Sequence, residues 1–404
     1  MRDYLQRLRV TGGLREPGLV STAVLALTAI AFFRVALLPE FGRELSMSTF
    51  RLGLVTTMFA VGRLAADLPG GHFADRFRAR RLMALSAAGV ALGSLVLGLS
   101  VEVLSVYAAS FLLGVSSATT NATGMTFFSN VAGTSHRGTS MAVFSAALLG
   151  GQAVGPAVAG LLSSVAGWRF AMFVGAAAAT VTALVLSGAR YTGRAPAGRS
   201  VGRPVPGGRW HHSTSMVVLY GVSFAVFLTL GAVPQTLVPL IGADELGLGT
   251  AAIGFALGVG GLARFVGTIF GGWLSDHISR KAALVPGLLG QGAGVALLAI
   301  EPNVPLWLSA IVVMSLASFA VPVAATIIGD IVEPSQVGTH LGRFRFVGDI
   351  GLITGPLVVS VLFEGVGRAA AFLFVASVLT TSALFSWKLL PTALPGDEPQ
   401  NTSR

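Results

Sequence analysis

The 404-residue sequence contains no cysteine. Disulfides, thiolate nucleophiles and cysteine metal sites are therefore excluded, and cysteine usage says nothing about compartment. Charge is scarce as well. Only 11% of residues are Asp, Glu, Lys or Arg, where a soluble domain carries roughly 25%. So few charges cannot clothe a water-facing surface. The apolar residues, 53% of the chain, fall in long runs, which rules out disorder and argues against a water-soluble enzyme. Also missing is a Gly-x-x-x-x-Gly-Lys-Ser/Thr loop, so ATP-driven pumping has no support. No aspartate-rich metal pair and no Glu-x-x-His interrupts the apolar runs. That argues against an intramembrane transferase or protease, and neither a cofactor nor a metal is expected.

What the chain does have is length of apolar run. A helix crossing a bilayer needs about 20 mostly apolar residues. Twelve segments meet that requirement, roughly 19–38, 50–71, 82–100, 104–131, 140–165, 170–188, 215–239, 251–274, 282–300, 306–329, 343–363 and 369–389. The fold class expected is an all-α membrane protein with twelve transmembrane helices. The first run has a basic start, but at about 20 residues it exceeds the 7–15 of a signal-peptide core, so it reads as a retained span.

The net charge is +10, from 27 basic and 17 acidic residues. In a soluble protein this balance points to nucleic acid; here the positions decide. If the N-terminal tail and every second loop are placed on one side, 20 basic residues lie there, among them Arg76, Arg78, Arg80, Arg81, Arg137, Arg280 and Lys281. The other side holds four, Arg43, Arg51, Arg169 and Arg368, and three more (Arg34, Arg63, Arg264) lie inside spans. Basic loops stay in the cytoplasm. Both termini are therefore expected inside, in a multi-pass protein of the cytoplasmic membrane, and no nucleic-acid partner is implied.

Residues 189–214 form the one long polar interruption, with Arg190, Arg194, Arg199, Arg203 and Arg209 and no acid. Gly, Pro and Arg in this density read as a cytoplasmic linker. It separates a six-span half at 1–188 from another at 215–391, with a tail at 392–404. The halves repeat. Gly71-His72-Phe73-Ala74-Asp75 reappears as Gly272-Trp273-Leu274-Ser275-Asp276, Arg63 as Arg264, Gly155-Pro156 as Gly355-Pro356, and Pro39 as Pro239, at offsets of 201 or 200. An internal duplication of this kind is a ground plan of secondary transporters.

At these residues the chain resembles the major facilitator superfamily over essentially its whole length. The family's marker between spans 2 and 3 is Gly-x-Leu-Ala-Asp-Arg-x-Gly-Arg-Arg. The first copy keeps Gly71, Ala74, Asp75 and Arg76 but has Arg78 and Ala79 at the Gly-Arg step. The second keeps Gly272, Leu274, Asp276, Arg280 and Lys281, with His277 in place of the first basic residue. The resemblance implies two pseudo-symmetric six-helix bundles around a central cavity, working by alternating access. It also implies that these loop residues are conformational latches, Asp75 facing the start of span 11 and Asp276 the start of span 5, where a helix dipole favours an anion. Gly151-x-x-x-Gly155-Pro156 in span 5 is similar to a motif of the family's exporters, but its echo Gly351-x-x-x-Gly355-Pro356 in span 11 equally fits ordinary small-residue packing around a proline bend.

Charges within a bilayer are functional candidates by default. Arg34, Arg63, Asp67, Arg264 and Asp349 lie clear of the span ends, and Arg345 stands one turn before Asp349. Arg63–Asp67 and Arg345–Asp349 are i,i+4 pairs that can each neutralise themselves. By the resemblance, spans 2 and 11 face each other, so all four can form one inter-bundle charge cluster. Two separate pairs remain the alternative. Glutamates and histidines fall in loops or at span edges, which leaves Asp67, Asp349 and the edge residue Asp330 as proton carriers. Span 4 lacks the arginine common in proton-coupled members over Ala109 to Gly114, so passive or other-ion coupling stays open. Arg34, Asn121, Gln235 and Arg264 are candidate cavity residues, alongside the polar run Ser116 to Thr123, Thr229 and Thr236.

The function expected is secondary transport of a small molecule, by efflux in exchange for protons. Import of a small organic anion on the intramembrane arginines is the alternative, and a receptor or enzyme without net flux the reading from another class. The expected partners are the small-molecule substrate, protons and the lipid bilayer, and a monomer is expected.

Overall fold

The computed structural model describes residues 15–76, 79–131, 137–188, 214–333 and 336–391, with backbone only at 15–16, 68–76, 130–131 and 137–138. Most of the predicted linker and all of the tail at 392–404 lie outside the described residues. Among the described residues there is no strand, and nine helices are long and apolar enough to cross a membrane. The protein is a helical multi-pass membrane protein.

The spans run in the order predicted. They are α1 (Arg15–Glu44), α2 (Thr49–Arg76), α3 (Ala79–Gly98), α4 (Val103–Val131), α5 (137–165), α6 (168–188), α7 (Thr214–Glu245), α8 (Thr250–His277), α9 (Arg280–Leu297), α10 (Val304–Ile331), α11 (Val337–Gly365) and α12 (Arg368–Leu389). Helical hydrogen bonding continues from α5 into α6, and the break is conformational. Ala166 and Gly167 leave the helical region, Gly167 with φ +84°. Gly367 turns α11 into α12 with φ +113°. Both positions need the left-handed freedom of glycine, and they stand 200 residues apart. Side-chain caps start α9 and α10, where Ser279 accepts from the Ala282 amide and Asn303 from the Leu306 amide.

The first span runs through Pro39 to Glu44 instead of ending at 38, and two further spans differ in kind from the prediction. The seventh was expected to end at 239, yet the helix continues to Glu245 through two π-helical stretches, Val233–Leu237 and Ile241–Glu245. Pro234 and Pro239 supply no backbone donor, and the wider ladder accommodates them: Val238 N–H bonds to Val233 O and Leu246 N–H to Ile241 O. The tenth was expected to be continuous over 306–329. A turn at 317–319 divides it into Val304–Leu316 and Ala320–Ile331. There the Phe319 ring lies against Gly271 and Gly287, occupying the space any side chain at those positions would need.

The chain forms two compact units whose boundaries differ from the halves of the repeat. The first comprises residues 1–47, 58–200 and 248–261, and the second 48–57, 201–247 and 262–404. Helices α2 and α8 therefore each begin in one unit and end in the other. Thr214, assigned to the linker by sequence, is the first residue of α7.

Candidate functional site

The polar interior of the first unit is built on α1, α2 and α4. Arg34 of α1 is fully buried, and its guanidinium lies over the Phe59 ring of α2 at 3.9 Å from the centroid. A desolvated guanidinium on an aromatic face gains about 2 kcal/mol or more. Arg63, one turn along α2, reaches Ser117 Oγ of α4 at 3.5 Å and is close enough to Arg34 for its charge to act there. Asn121 is buried one turn beyond Ser117. The unit thus gathers Arg34, Arg63 and Asn121, which the sequence named separately, together with Phe59, which it did not. Gly62 and Gly114 make this approach possible. A Cβ on either would fall 2.0–2.1 Å from a carbonyl oxygen of the facing helix, Phe111 O or Phe59 O.

Other α4 groups, the Thr120 hydroxyl and the Ser116 carbonyl, bond to α3. Ser86 Oγ donates to Ser116 O at 2.8 Å and bonds to Thr120, so they join α3 to α4. In the second unit, Thr229 donates to Ala225 O, and the Thr236 hydroxyl lies within hydrogen-bond distance of both Gly231 O and the Thr56 hydroxyl. Both hydroxyls are buried and bond within the helix framework. Gln235 is buried, and its backbone carbonyl accepts from Thr56 at 3.4 Å. Arg264 is half-buried on α8.

The charge candidates divide between the units. Arg63 and half-buried Asp67 belong to the first; half-buried Arg345 and fully buried Asp349 belong to the second, on α11.

The second copy of the loop marker has its own geometry. Arg280 donates to Asp276, to Ser275 Oγ at 3.0 Å and to Asp330 Oδ2 at 3.0 Å. Burial alone would lower the guanidinium pKa. The bonds to Asp276 and Asp330, and their charges, outweigh burial and raise it, so the group is a fixed cation. Lys281 Nζ donates to Leu390 O at 3.0 Å and sits 5.2 Å from the Trp387 ring. Arg80 makes the analogous contact in the first half, donating to Leu186 O of α6. Gly272 has open space where a Cβ would stand; the tight neighbour is Gly271. Of the first copy, Gly71, Asp75 and Arg76 end helix α2, and their side chains lie outside the described residues, as does that of Arg137.

The Gly-Pro motif performs one job twice. A Cβ on Gly151 or Gly155 would meet Leu25 O at 2.6 Å or Ala29 O at 2.3 Å on α1. On Gly351 or Gly355 it would meet Phe224 O at 2.3 Å or Leu228 O at 2.4 Å on α7. Pro156 and Pro356 are buried inside helices that continue through them.

Sequence reasoning passed over several polar contacts. Tyr220 Oη and His340 Nδ1 meet at 2.8 Å, with His340 buried at the start of α11. Glu44 accepts from Trp168 Nε1 and Arg169 Nη2, each at 2.6 Å. Glu245 pairs with Arg368 in the second unit. The only signal for these in the sequence is a polar residue at the edge of an apolar run.

The sequence profile described as Major Facilitator Superfamily matches residues 19–241 and 219–404. Among known proteins, the D-galactonate transporter of Escherichia coli O6:H1 is 28% identical over 209 residues, 49% of this chain and 48% of that protein. The multidrug resistance protein MdtH of Klebsiella pneumoniae is 31% identical over 159 residues, 38% of this chain and 39% of that one. These matches span less than half of the length of either relative. A crystal structure of a bacterial homologue of the human lysosomal transporter Spinster, inward-facing and occupied, superposes with a TM-score of 0.76 at 17% identity, covering 92% of this chain and 96% of that one. The D-xylose-proton symporter gives 0.73 at 15% identity, covering 93% and 97%. A profile matching both halves, with the repeated markers and the helical fold, has one conclusion: the chain belongs to the Major Facilitator Superfamily.

Proposed function

We propose that this protein is a secondary transporter and not an enzyme, and that it moves a small organic anion across the cytoplasmic membrane by alternating access. The observation that carries the substrate class is the guanidinium of Arg34, fully buried on the Phe59 ring with Arg63 nearby. A cation buried inside a span is costly enough to be a functional candidate. A carboxylate is the planar partner a guanidinium binds with two parallel hydrogen bonds. The match to a transporter of D-galactonate, a sugar acid, agrees with this chemistry.

Efflux by proton antiport is the second reading. The matches to multidrug resistance proteins and to a class C tetracycline resistance protein of Escherichia coli favour it, with Asp67 or Asp349 as the carrier. The Gly-Pro motif no longer argues for it, because Gly155 and Gly355 make the same helix contact in both halves. In either reading, Asp75, Arg76, Asp276, Arg280 and Lys281 act as latches on the cytoplasmic side, where both termini lie. Arg63 and Asp67 in the first unit and Arg345 and Asp349 in the second are the coupling charges, and Gln235 and Arg264 are the second unit's substrate contacts, in a functional monomer.

Counterflow in proteoliposomes across a panel of sugar acids, dicarboxylates and lipophilic cations, with and without a pH gradient, tests the proposal. Anions are expected to exchange, and Arg34→Gln is expected to reduce the rate at least tenfold. Exchange of cations alone, unaffected by Arg34→Gln, would overturn the anion reading. Indifference to the gradient would remove proton coupling.

A further inference from the structure

Helices α2 and α8 are the two that pass from one compact unit to the other, and their first turns are held in a common way. The Phe50 amide, in the first turn of α2, donates to Glu364 Oε1 at 2.8 Å, at the end of α11. Thr250, the first residue of α8, donates its hydroxyl to Glu40 Oε1 near the end of α1, and Glu40 Oε2 accepts from Ser163 at the end of α5. Each helix start thus meets a carboxylate, the charge that the positive end of a helix dipole favours.

Behind each carboxylate runs a seam of glycine. A Cβ on Gly53 of α2 would meet Pro356 O at 2.8 Å and Ser360 Oγ at 2.5 Å on α11. On Gly254 of α8 it would meet Pro156 O at 2.3 Å on α5, and on Gly160 of α5 it would meet Thr250 O at 2.4 Å. Gly53 and Gly254 stand 201 residues apart, the offset that also relates Thr49 to Thr250, and Pro156 and Pro356 stand 200 apart. The duplication has kept both seams. The carboxylates are different residues: Glu364 corresponds at offset 200 to Ser164, beside Ser163, and the acid of the other seam comes from α1 instead.

We infer that Glu364 and Glu40 are paired positioning residues, carboxylate latches that hold the first turns of α2 and α8 in their glycine seams and must let go when the transporter opens toward the outside. A glycine seam without side-chain interlock slides apart with little steric resistance, so two hydrogen-bonded carboxylates at its mouth are well placed to set how often it does. The outside location rests on the orientation read from arginine, and nothing in the inference depends on the substrate. In sequence, Arg43 and Glu44 follow Glu40 on α1, and Arg51 follows Phe50 on α2.

The lack of cysteine allows a direct test. Ser360→Cys reports on the α2 seam and Ala157→Cys, facing Gly258, on the α8 seam. Each is labelled in right-side-out vesicles with a membrane-impermeant maleimide, in the otherwise native chain and with Glu364→Ala or Glu40→Ala. Loss of the matching latch is expected to raise labelling at least fivefold, and Glu→Gln, which keeps an acceptor, to raise it less. Should an alanine variant fail to reach the membrane, the glutamine variant gives the reading. Labelling unchanged in both seams overturns the inference, even if transport falls. A rise seen only from the opposite face supports the latches and reverses the orientation.

Discussion

The two halves of the duplication have kept their backbone contacts and parted company in their polar interiors. Gly155 against Ala29 and Gly355 against Leu228 place a fifth and an eleventh helix on their neighbours at nearly the same separation. Arg63 and Arg264 also persist. Arg34, however, has no basic counterpart: positions 200 and 201 residues further on are Pro234 and Gln235, in a π-helical stretch. Backbone approach tolerates no side chain whichever half it occurs in, so it survives duplication. An interior side chain meets no such limit and is free to diverge between the halves.

The largest expected effect tests the shared part. Gly155→Leu and Gly355→Leu force a side chain into a facing carbonyl, and overpacking of this kind costs about 1–3 kcal/mol or more. Both variants should show reduced yield and a lowered Tm in detergent, by similar amounts. A variant that stays native in one half only would break the equivalence. Next comes the divergent part. Arg34→Gln should slow anion counterflow at least tenfold while leaving Tm within a few degrees, and Gln235→Leu should change the rate less than threefold; equal losses from both would dissolve the asymmetry.

Smaller differences lie at the loops. Glu44 binds Arg169 and also the Trp168 indole, whereas Glu245, 201 residues on, binds Arg368, which has no tryptophan beside it in the sequence. Exposed pairs contribute about 0–1 kcal/mol. Glu44→Ala is therefore expected to lower Tm by more than Glu245→Ala, with neither beyond a few degrees by differential scanning fluorimetry. The smallest effect belongs to Gly272→Ala. A Cβ there meets open space, so Tm should hold, and a transport defect without instability would identify Gly272 as a moving part.

Which aspects of this molecule were readable follows from the kind of information each carries. Apolar run length is a property of consecutive residues, so the spans and their order were legible, as were the repeat and the basic bias of alternate loops. Proline pairs gave no warning that α7 would continue to Glu245, because a π-helical ladder is one of several ways a helix accommodates missing donors. The α10 turn at 317–319 was hidden as well, since Phe319 occupies clefts at Gly271 and Gly287 that exist only once three helices have met. For the site, Arg34 and Arg63 stood out as charges in apolar runs. Phe59 did not, because one aromatic among 25 phenylalanines carries no mark of the guanidinium above it. Glu40 looked like a residue at a span edge; its partners Ser163 and Thr250 are more than 120 and 200 positions away.

The crossing of α2 and α8 between units has a consequence for dissecting the chain. A cut between 189 and 213 separates the two copies of the duplication, yet each product is missing a piece of its own compact unit. The N-terminal fragment lacks 248–261, and the C-terminal fragment lacks 48–57. Neither polypeptide is a finished module. Each unit takes a helix start from the other side of the cut, and co-expressed fragments should accumulate in the membrane only as a pair.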